Sequence, residues 1–212
     1  GGGRGLAAAV SAAECGAEVL VLEKEAELGG TTGIAVGSFT ANRTSMQQQS
    51  GIEDSIDEHA EDASRFAPSY IEARNNDDLR RWFLGHGAET LTWLQGMGLS
   101  FHGPSPEPPN RVPRMHNVVP GARAYITTLQ TCYRRLHGRV LCEARVVALT
   151  RGEGGTVSGV IAEIGGERRV FAARKGVVLA AGDYTHSTEL IGRHLGVSYT
   201  EVEGINPKST GD

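Results

Sequence analysis

The chain has 212 residues and a net charge of −4, with 39% hydrophobic and 22% charged residues. This length suffices to bury the core of one large domain, and the mild acidity disfavours nucleic acid or an anionic membrane as a partner. No run of about 18 apolar residues occurs, so no membrane-spanning helix is predicted.

The cysteines give information about the compartment. Cys15, Cys132 and Cys142 are odd in number and lack the spacing of metal ligands. This pattern predicts reduced thiols in a reducing compartment, which we take as cytoplasmic, and no metal site. Cys15 falls within a predicted helix, and we expect its thiol to be buried and inert.

A helix and a strand are the first predicted elements. Residues 6–15 are mostly small and predict a helix, which Gly16 would end. Residues 18–23 (EVLVLE) form a short apolar run between turn signals, as expected of a buried parallel strand. The glycine- and threonine-rich residues 27–41 predict a loop.

The middle of the chain predicts helices and one irregular segment. Residues 52–66 place apolar side chains on one helical face, with acids predicted to be solvated on the other. Residues 77–97 predict two helices, with Trp82, Phe83 and Trp93 in the core. Residues 103–121 hold six of the eight prolines and predict a loop, in which His116 and nearby arginines are solvated or attract an anion. A helix is predicted over residues 122–136.

The last part of the chain predicts strands. Residues 140–142 read as a strand, residues 145–151, 156–164 and 168–173 as an antiparallel meander, and residues 176–181 as a second buried strand. This order predicts an α/β fold, a Rossmann-like nucleotide-binding domain with a small antiparallel β-meander insert. We expect residues 1–212 to form a single domain.

The glycines at the start fit a dinucleotide-binding motif. In GxGxxG, Gly2 would take the second position and Gly5 the third, so the first strand and first glycine are expected before Gly1. Glu23 follows Gly5 by 18 residues, at the end of the strand, where an acid accepts hydrogen bonds from ribose hydroxyls. The alternative is a glycine-rich helix start without a ligand.

The opening residues 1–32, and above all EKEAELGGTT over residues 23–32, resemble the fumarate reductase and succinate dehydrogenase flavoprotein family, which includes 3-ketosteroid Δ1-dehydrogenases. KGVVLAAGDYTHSTELI and INPKSTGD resemble later segments of that family. The resemblance implies a glutathione-reductase-type FAD-binding domain that is truncated at both ends, with a capping domain after residue 212.

The resemblance also assigns the residues that bind FAD. Gly2 and Gly5 would face the pyrophosphate, Glu23 the ribose, and the backbone of Val146 or Val147 the adenine. Gly30, Thr31 and Thr32 would contact the pyrophosphate, the ribityl chain or the edge of the flavin. Since no histidine lies between Gly29 and Ser45, FAD would be held non-covalently. The full set of implied contacts is Gly2, Gly5, Glu23, Lys24, Gly29, Gly30, Thr31, Thr32, Val36, Gly37, Val146, Val147, Ala181, Gly182 and Asp212.

The implied activity is hydride transfer between FAD and an activated C–C bond of a small molecule, an enoate, enone or steroid-like compound. The electron donor or acceptor is unknown, and no catalytic residue is assigned because the proton donor would lie beyond residue 212. Two alternatives stay open. The chain could be a dinucleotide-binding module without catalysis, or an NAD-dependent dehydrogenase domain, which would explain Gly2, Gly5 and Glu23 but not GGTT.

Overall fold

The computed structural model describes residues 1–212 and contains eight α-helices, three short 3-10 helices and eight strands. They form two compact units, one of Gly1–Ala35 with Tyr125–Asp212 and the other of Val36–Ala124. The helices are α1 (Gly3–Glu14), α2 (Ser45–Gln49), α3 (Ile56–Ala63), α4 (Ser69–Glu72), α5 (Asp77–Gly85), α6 (Gly87–Gly96), α7 (Arg123–Arg135) and α8 (Thr188–His194). The strands are β1 (Leu20–Leu22), β2 (Ser38–Thr40), β3 (Ser100–Ser105), β4 (Met115–Val119), β5 (Arg139–Leu141), β6 (Arg145–Arg151), β7 (Val157–Ile164) and β8 (Glu167–Ala172).

The first unit is built on a parallel strand pair. Strands β1 and β5 run parallel, with Leu20 opposite Arg139 and Leu22 opposite Leu141. Helix α1 buries Leu6 and Val10. It begins at Gly3 rather than at Leu6, because glycines in the first turn do not prevent helical backbone geometry when the rest of the helix packs well. The parallel pair and α1 confirm a mixed α/β architecture.

Helix α7 is attached to the parallel pair through a buried tyrosine. The Tyr133 hydroxyl donates to the Val19 carbonyl oxygen at 2.7 Å, and its ring is fully buried. Leu129 and Ile126 lie one and two turns earlier, respectively, and are also buried. The predicted helix over residues 122–136 is therefore confirmed within one residue at each end.

The predicted meander is confirmed as a three-stranded antiparallel sheet in the order β6-β7-β8. Its strand bounds differ from the prediction by no more than one residue at any end. The β6–β7 register shifts between Val146 and Ala148, so Val147 lies at an irregularity of the ladder.

The predicted buried strand over residues 176–181 is wrong. These residues form no strand, and the side chains of Val178 and Leu179 are 73% and 69% exposed. A strand requires a neighbour for its backbone hydrogen bonds, and no ladder in the structure includes this segment. The local sequence pattern cannot report whether such a neighbour is present.

The second unit contains an antiparallel sheet that the sequence did not predict. Strands β2 and β3 pair on either side of β4, with Phe39 opposite His116 and Phe101 opposite Val118. Residues 38–40 and 115–119 were both expected to be loops. Both strands are short, and prolines flank residues 115–119, so the local pattern did not indicate strands that are stabilised by pairing with distant residues.

The positions of two helices in the second unit were predicted correctly, but the side chains that they bury were not. Helices α5 and α6 match the two expected helices, but Trp82 and Phe83 are 64% and 67% exposed, so their predicted core position is wrong. Leu84 and Leu91 are buried instead.

No helix is both long and apolar enough to cross a bilayer. In the first unit, Cys15 is exposed rather than buried, because it follows the last residue of α1.

A buried ionic cluster lies at the centre of the second unit. Arg114 donates two hydrogen bonds to Asp54, at 2.7 and 2.6 Å, and one to Asp62 at 2.6 Å, and all three side chains have no exposed surface. Burial alone would raise the pKa of Asp62, but hydrogen bonds from Arg111 and Arg114 hold it well below its ordinary range. Arg114, Asp54 and Asp62 were expected to be solvated, and this expectation is wrong.

Two buried histidines accompany this cluster. Asn42 donates from Nδ2 to Nδ1 of His59 at 2.9 Å and to the Leu84 carbonyl oxygen at 3.0 Å. Burial, followed by the charge of Arg114, lowers the pKa of His59 to about 4. Burial also lowers the pKa of His116, which is fully enclosed rather than solvated as expected. Both imidazoles are therefore neutral at pH 7.

Candidate functional site

The first turn of α1 presents backbone donors with no acidic side chain nearby in that turn. The first helical hydrogen bond runs from the Leu6 N–H to the Gly2 carbonyl oxygen, so the N–H groups of Gly3, Arg4 and Gly5 precede it. Gly3 donates to Thr32 Oγ1 at 3.2 Å. Gly2, the N-cap residue, has no side chain with which to cap the helix. Together with the helix dipole, these donors favour an anion.

A second glycine segment lies against the start of α1. Gly2 forms a parallel bridge with Gly29, and a Cβ on Gly30 would lie 3.1 Å from the Gly2 Cα. Gly30 also has a φ of +52°, which favours glycine. At Gly2, by contrast, a Cβ would find only ordinary contacts, the nearest at 3.6 Å. Packing within the protein thus does not require glycine at residue 2, whereas close approach of a ligand would.

Glu23 lies beside this glycine pair and is ionised. Its Oε1 accepts the backbone N–H of Glu25 at 3.0 Å, and its carboxylate lies against the backbone of Gly1. Burial alone would raise the pKa of Glu23, but hydrogen bonds from the backbone N–H groups of Glu25 and Lys24 lower it. A charged carboxylate at the end of β1 is a strong acceptor for hydroxyl groups.

Lys24 and Asp212, both predicted site residues, lie in contact. The Lys24 ammonium donates to the Lys208 carbonyl oxygen at 2.7 Å and to Thr210 Oγ1 at 2.6 Å, and it also contacts the Asp212 carboxylate. Arg145, next to the predicted adenine contact, donates to Asp212 at 2.7 Å. These contacts connect residues 208–212 to the end of β1 and the start of β6.

The other predicted residues of the first unit lie in two places. Val146 and Val147 lie at the start of β6, where the ladder is irregular. Ala181 and Gly182 are exposed, and the preceding Ala180 lies beside the first turn of α1, 3.4 Å from where a Cβ on Gly5 would be. The segment that contains Ala181 thus passes next to the helix donors even though it is not a strand.

Val36 and Gly37 belong to the second unit. Val36 is 86% exposed. Gly37 has a φ of +100°, and a Cβ there would lie 2.7 Å from Val118 and 3.0 Å from the Ala122 nitrogen. Packing within this unit therefore accounts for the glycine at residue 37, and its predicted contact with a flavin stays a prediction.

The arrangement in the first unit fits a dinucleotide. It combines helix N–H groups that precede the first intrahelical hydrogen bond, a glycine without a packing role at the helix start, and an ionised acid at the end of the adjacent strand. This combination provides donors for a pyrophosphate and an acceptor for a ribose. The family model for an FAD binding domain matches residues 1–212. The chain belongs to the FAD-binding domain family.

Known proteins similar to this FAD-binding domain include a "Fumarate reductase (cytochrome)" from Shewanella frigidimarina, 25% identical over 195 residues, which cover 91% of this chain and 34% of that protein. The open conformation of a flavocytochrome c3 fumarate reductase superposes with a TM-score of 0.90 at 25% identity, covering 99% and 37% of the two chains. A 3-ketosteroid-delta4-(5alpha)-dehydrogenase from Rhodococcus jostii RHA1 shares the fold, with a TM-score of 0.83 at 23% identity and coverage of 99% and 50%. The chain spans about a third of the length of the curated relatives it matches.

Two buried polar residues that the sequence did not predict lie in the segment before Asp212. Asn206 and Ser209 are buried, although the residues directly before them, Ile205 and Lys208, are exposed. Asn206 donates from Nδ2 to Thr31 Oγ1 at 3.0 Å. The only signal in the sequence is the run of small and turn-forming residues in INPKSTGD, which does not distinguish a buried asparagine from a solvated one.

Proposed function

We propose that this FAD-binding domain is the cofactor-holding part of a flavoenzyme that reduces an activated C=C bond of a small molecule. The observation that carries the proposal is the start of α1, where Gly2 and Gly30 approach each other beside the ionised Glu23. When bound there, FAD would supply hydride chemistry at its isoalloxazine ring. The residues of this chain would bind and orient the cofactor.

The individual roles follow from the donors and acceptors of the first unit. The N–H groups of Arg4 and Gly5 would bind pyrophosphate oxygens, and Glu23 would accept hydrogen bonds from ribose hydroxyls. We propose that backbone groups of Val146 and Val147, at the irregular start of β6, contact the adenine. Non-covalent attachment is proposed because no histidine follows the glycine pair before Ser45.

The substrate class is proposed from the relatives. The Shewanella frigidimarina relative is named a fumarate reductase, and fumarate carries a C=C bond conjugated to carboxylates. We therefore favour an enoate or enone over a steroid, since the steroid enzyme is similar at the level of fold. We place the catalytic acid and the capping domain in parts of the parent protein outside these residues, and we leave the electron donor unassigned. The three free cysteines of this chain support a reducing, cytoplasmic compartment for the parent protein.

The visible absorption spectrum of the intact parent protein tests the proposal directly. We expect a flavin spectrum, and heat denaturation should release free FAD into the supernatant, as non-covalent binding requires. The enzyme should then oxidise its reduced flavin with an enoate or enone. A colourless protein that FAD cannot reconstitute would overturn the proposal and favour the nicotinamide alternative.

Glu23 provides a test at a single residue. Replacing it, as Glu23→Ala, removes the acceptor for the ribose, and hydrogen bonds to charged groups contribute about 1.5–3 kcal/mol. The FAD dissociation constant should therefore rise about 10- to 100-fold. Glu18→Ala is the matched control, since Glu18 carries the same charge but lies exposed near the start of β1. Equal affinity of Glu23→Ala and wild type would contradict the ribose assignment.

A further inference from the structure

Residues 205–212 are held against the glycine- and threonine-rich residues 29–32 by one buried amide side chain. Asn206 is 7% exposed, and its Nδ2 lies 3.0 Å from Thr31 Oγ1, 175 positions away in sequence. Its Oδ1 accepts the Lys208 backbone N–H at 3.1 Å. Both ends of the amide are therefore engaged.

These two contacts fix the orientation of the amide. A backbone N–H can only donate, so the end of the Asn206 side chain that faces Lys208 must be the carbonyl oxygen. The end that faces Thr31 is then the NH₂ group, which can only donate. The Thr31 hydroxyl oxygen is the acceptor of this hydrogen bond, and its own proton must point away from Asn206.

Thr32 is constrained in a similar way. Its Oγ1 accepts the N–H of Gly3, so its hydroxyl proton also points away from that contact. Thr31 directly follows Gly30, which lies against Gly2 at the start of α1. Two hydroxyl groups next to the helix donors thus have their oxygens occupied by the protein and their protons left to donate.

We propose that Asn206 is a positioning residue for the FAD pyrophosphate, acting through Thr31. By donating to the Thr31 oxygen it makes that hydroxyl a donor toward the anion. The Lys24 ammonium supports the same segment from the other side through the Lys208 carbonyl oxygen and Thr210. This inference rests on the proposed function and adds to it a residue that contacts no part of the cofactor itself.

The informative variant is Asn206→Asp in the intact parent protein. A carboxylate keeps the size of the side chain and still accepts the Lys208 N–H, but it cannot donate to Thr31. The Thr31 hydroxyl would then donate to the carboxylate and be lost to the pyrophosphate. Asn206→Ala removes the donor without adding charge, and one neutral hydrogen bond corresponds to about a 3- to 10-fold weaker FAD affinity.

A double-mutant cycle with Thr31→Val distinguishes positioning from general support of the fold. We expect Asn206→Ala to weaken FAD binding in the wild-type background and to have no further effect when Thr31 is valine. Thr31→Ser keeps the hydroxyl and should retain the effect of Asn206→Ala. The ³¹P resonances of bound FAD should shift in Asn206→Ala, because the donor to the phosphate is no longer oriented.

Asn76→Asp is the matched control. Asn76 caps α5 by accepting the Leu79 N–H, which aspartate does equally well, so FAD affinity should not change. Additive effects of Asn206→Ala and Thr31→Val, or unchanged ³¹P resonances, would overturn the inference while leaving FAD binding itself intact. A wild-type protein that does not bind FAD would overturn the proposed function and this inference together.

Discussion

Removal of the Arg114 guanidinium, as Arg114→Met, should strongly destabilise the second unit. Arg114 makes three hydrogen bonds to Asp54 and Asp62, whose side chains have no exposed surface. Without Arg114 these carboxylates remain buried with fewer partners, and breaking a buried ion pair costs about 3–5 kcal/mol. At about 2–4 °C per kcal/mol for a chain of this size, the melting temperature should fall by about 10 °C.

Urea unfolding followed by tryptophan fluorescence is the appropriate assay, because both tryptophans, Trp82 and Trp93, lie in the second unit. Arg81→Met is the matched control, since Arg81 pairs with Asp57 and Asp77 on the surface and exposed pairs contribute little. If Arg114→Met were no more destabilising than Arg81→Met, the reasoning from burial would be refuted. The Ala41 N–H donates to the Arg114 carbonyl oxygen, so residues 36–41 should also lose protection from hydrogen exchange.

Three further predictions concern other parts of the chain. Gly30→Ala should cost more stability than Gly51→Ala, because both have left-handed backbone but only Gly30 has a close neighbour, Gly2; equal losses in thermal unfolding would exclude a steric role. The unfolded chain protonates His59 near pH 6.5 and the folded chain near pH 4, so the free energy of unfolding should fall by about 1.4 kcal/mol for each unit that the pH is lowered from 6.5 towards 4. His59→Gln should flatten this pH dependence, as measured by urea titrations. Cys15, which is exposed, should be the first thiol alkylated in the native protein, as mass spectrometry of its peptides will show.

Features that depend on residues close in sequence were predicted well. The meander strands and α7 follow from local periodicity and turn residues, which hold regardless of what packs around them. The spacing of Gly2, Gly5 and Glu23 likewise belongs to one helix and one strand. The expected strand at residues 176–181 failed because its apolar pattern needs a paired neighbour to become a strand.

The amino-acid sequence was sufficient to predict the family, the dinucleotide motif and the bounds of α7 and the meander strands, because each of these depends on residues close together in the chain. Which polar side chains are buried, and what they contact, depends on how distant segments pack in the folded protein. Arg114 and Asp54 are 60 positions apart, and Asn206 and Thr31 are 175 apart. A charged or amide side chain has the same letter whether it is solvated or enclosed, and its role depends on the distant segment that covers it.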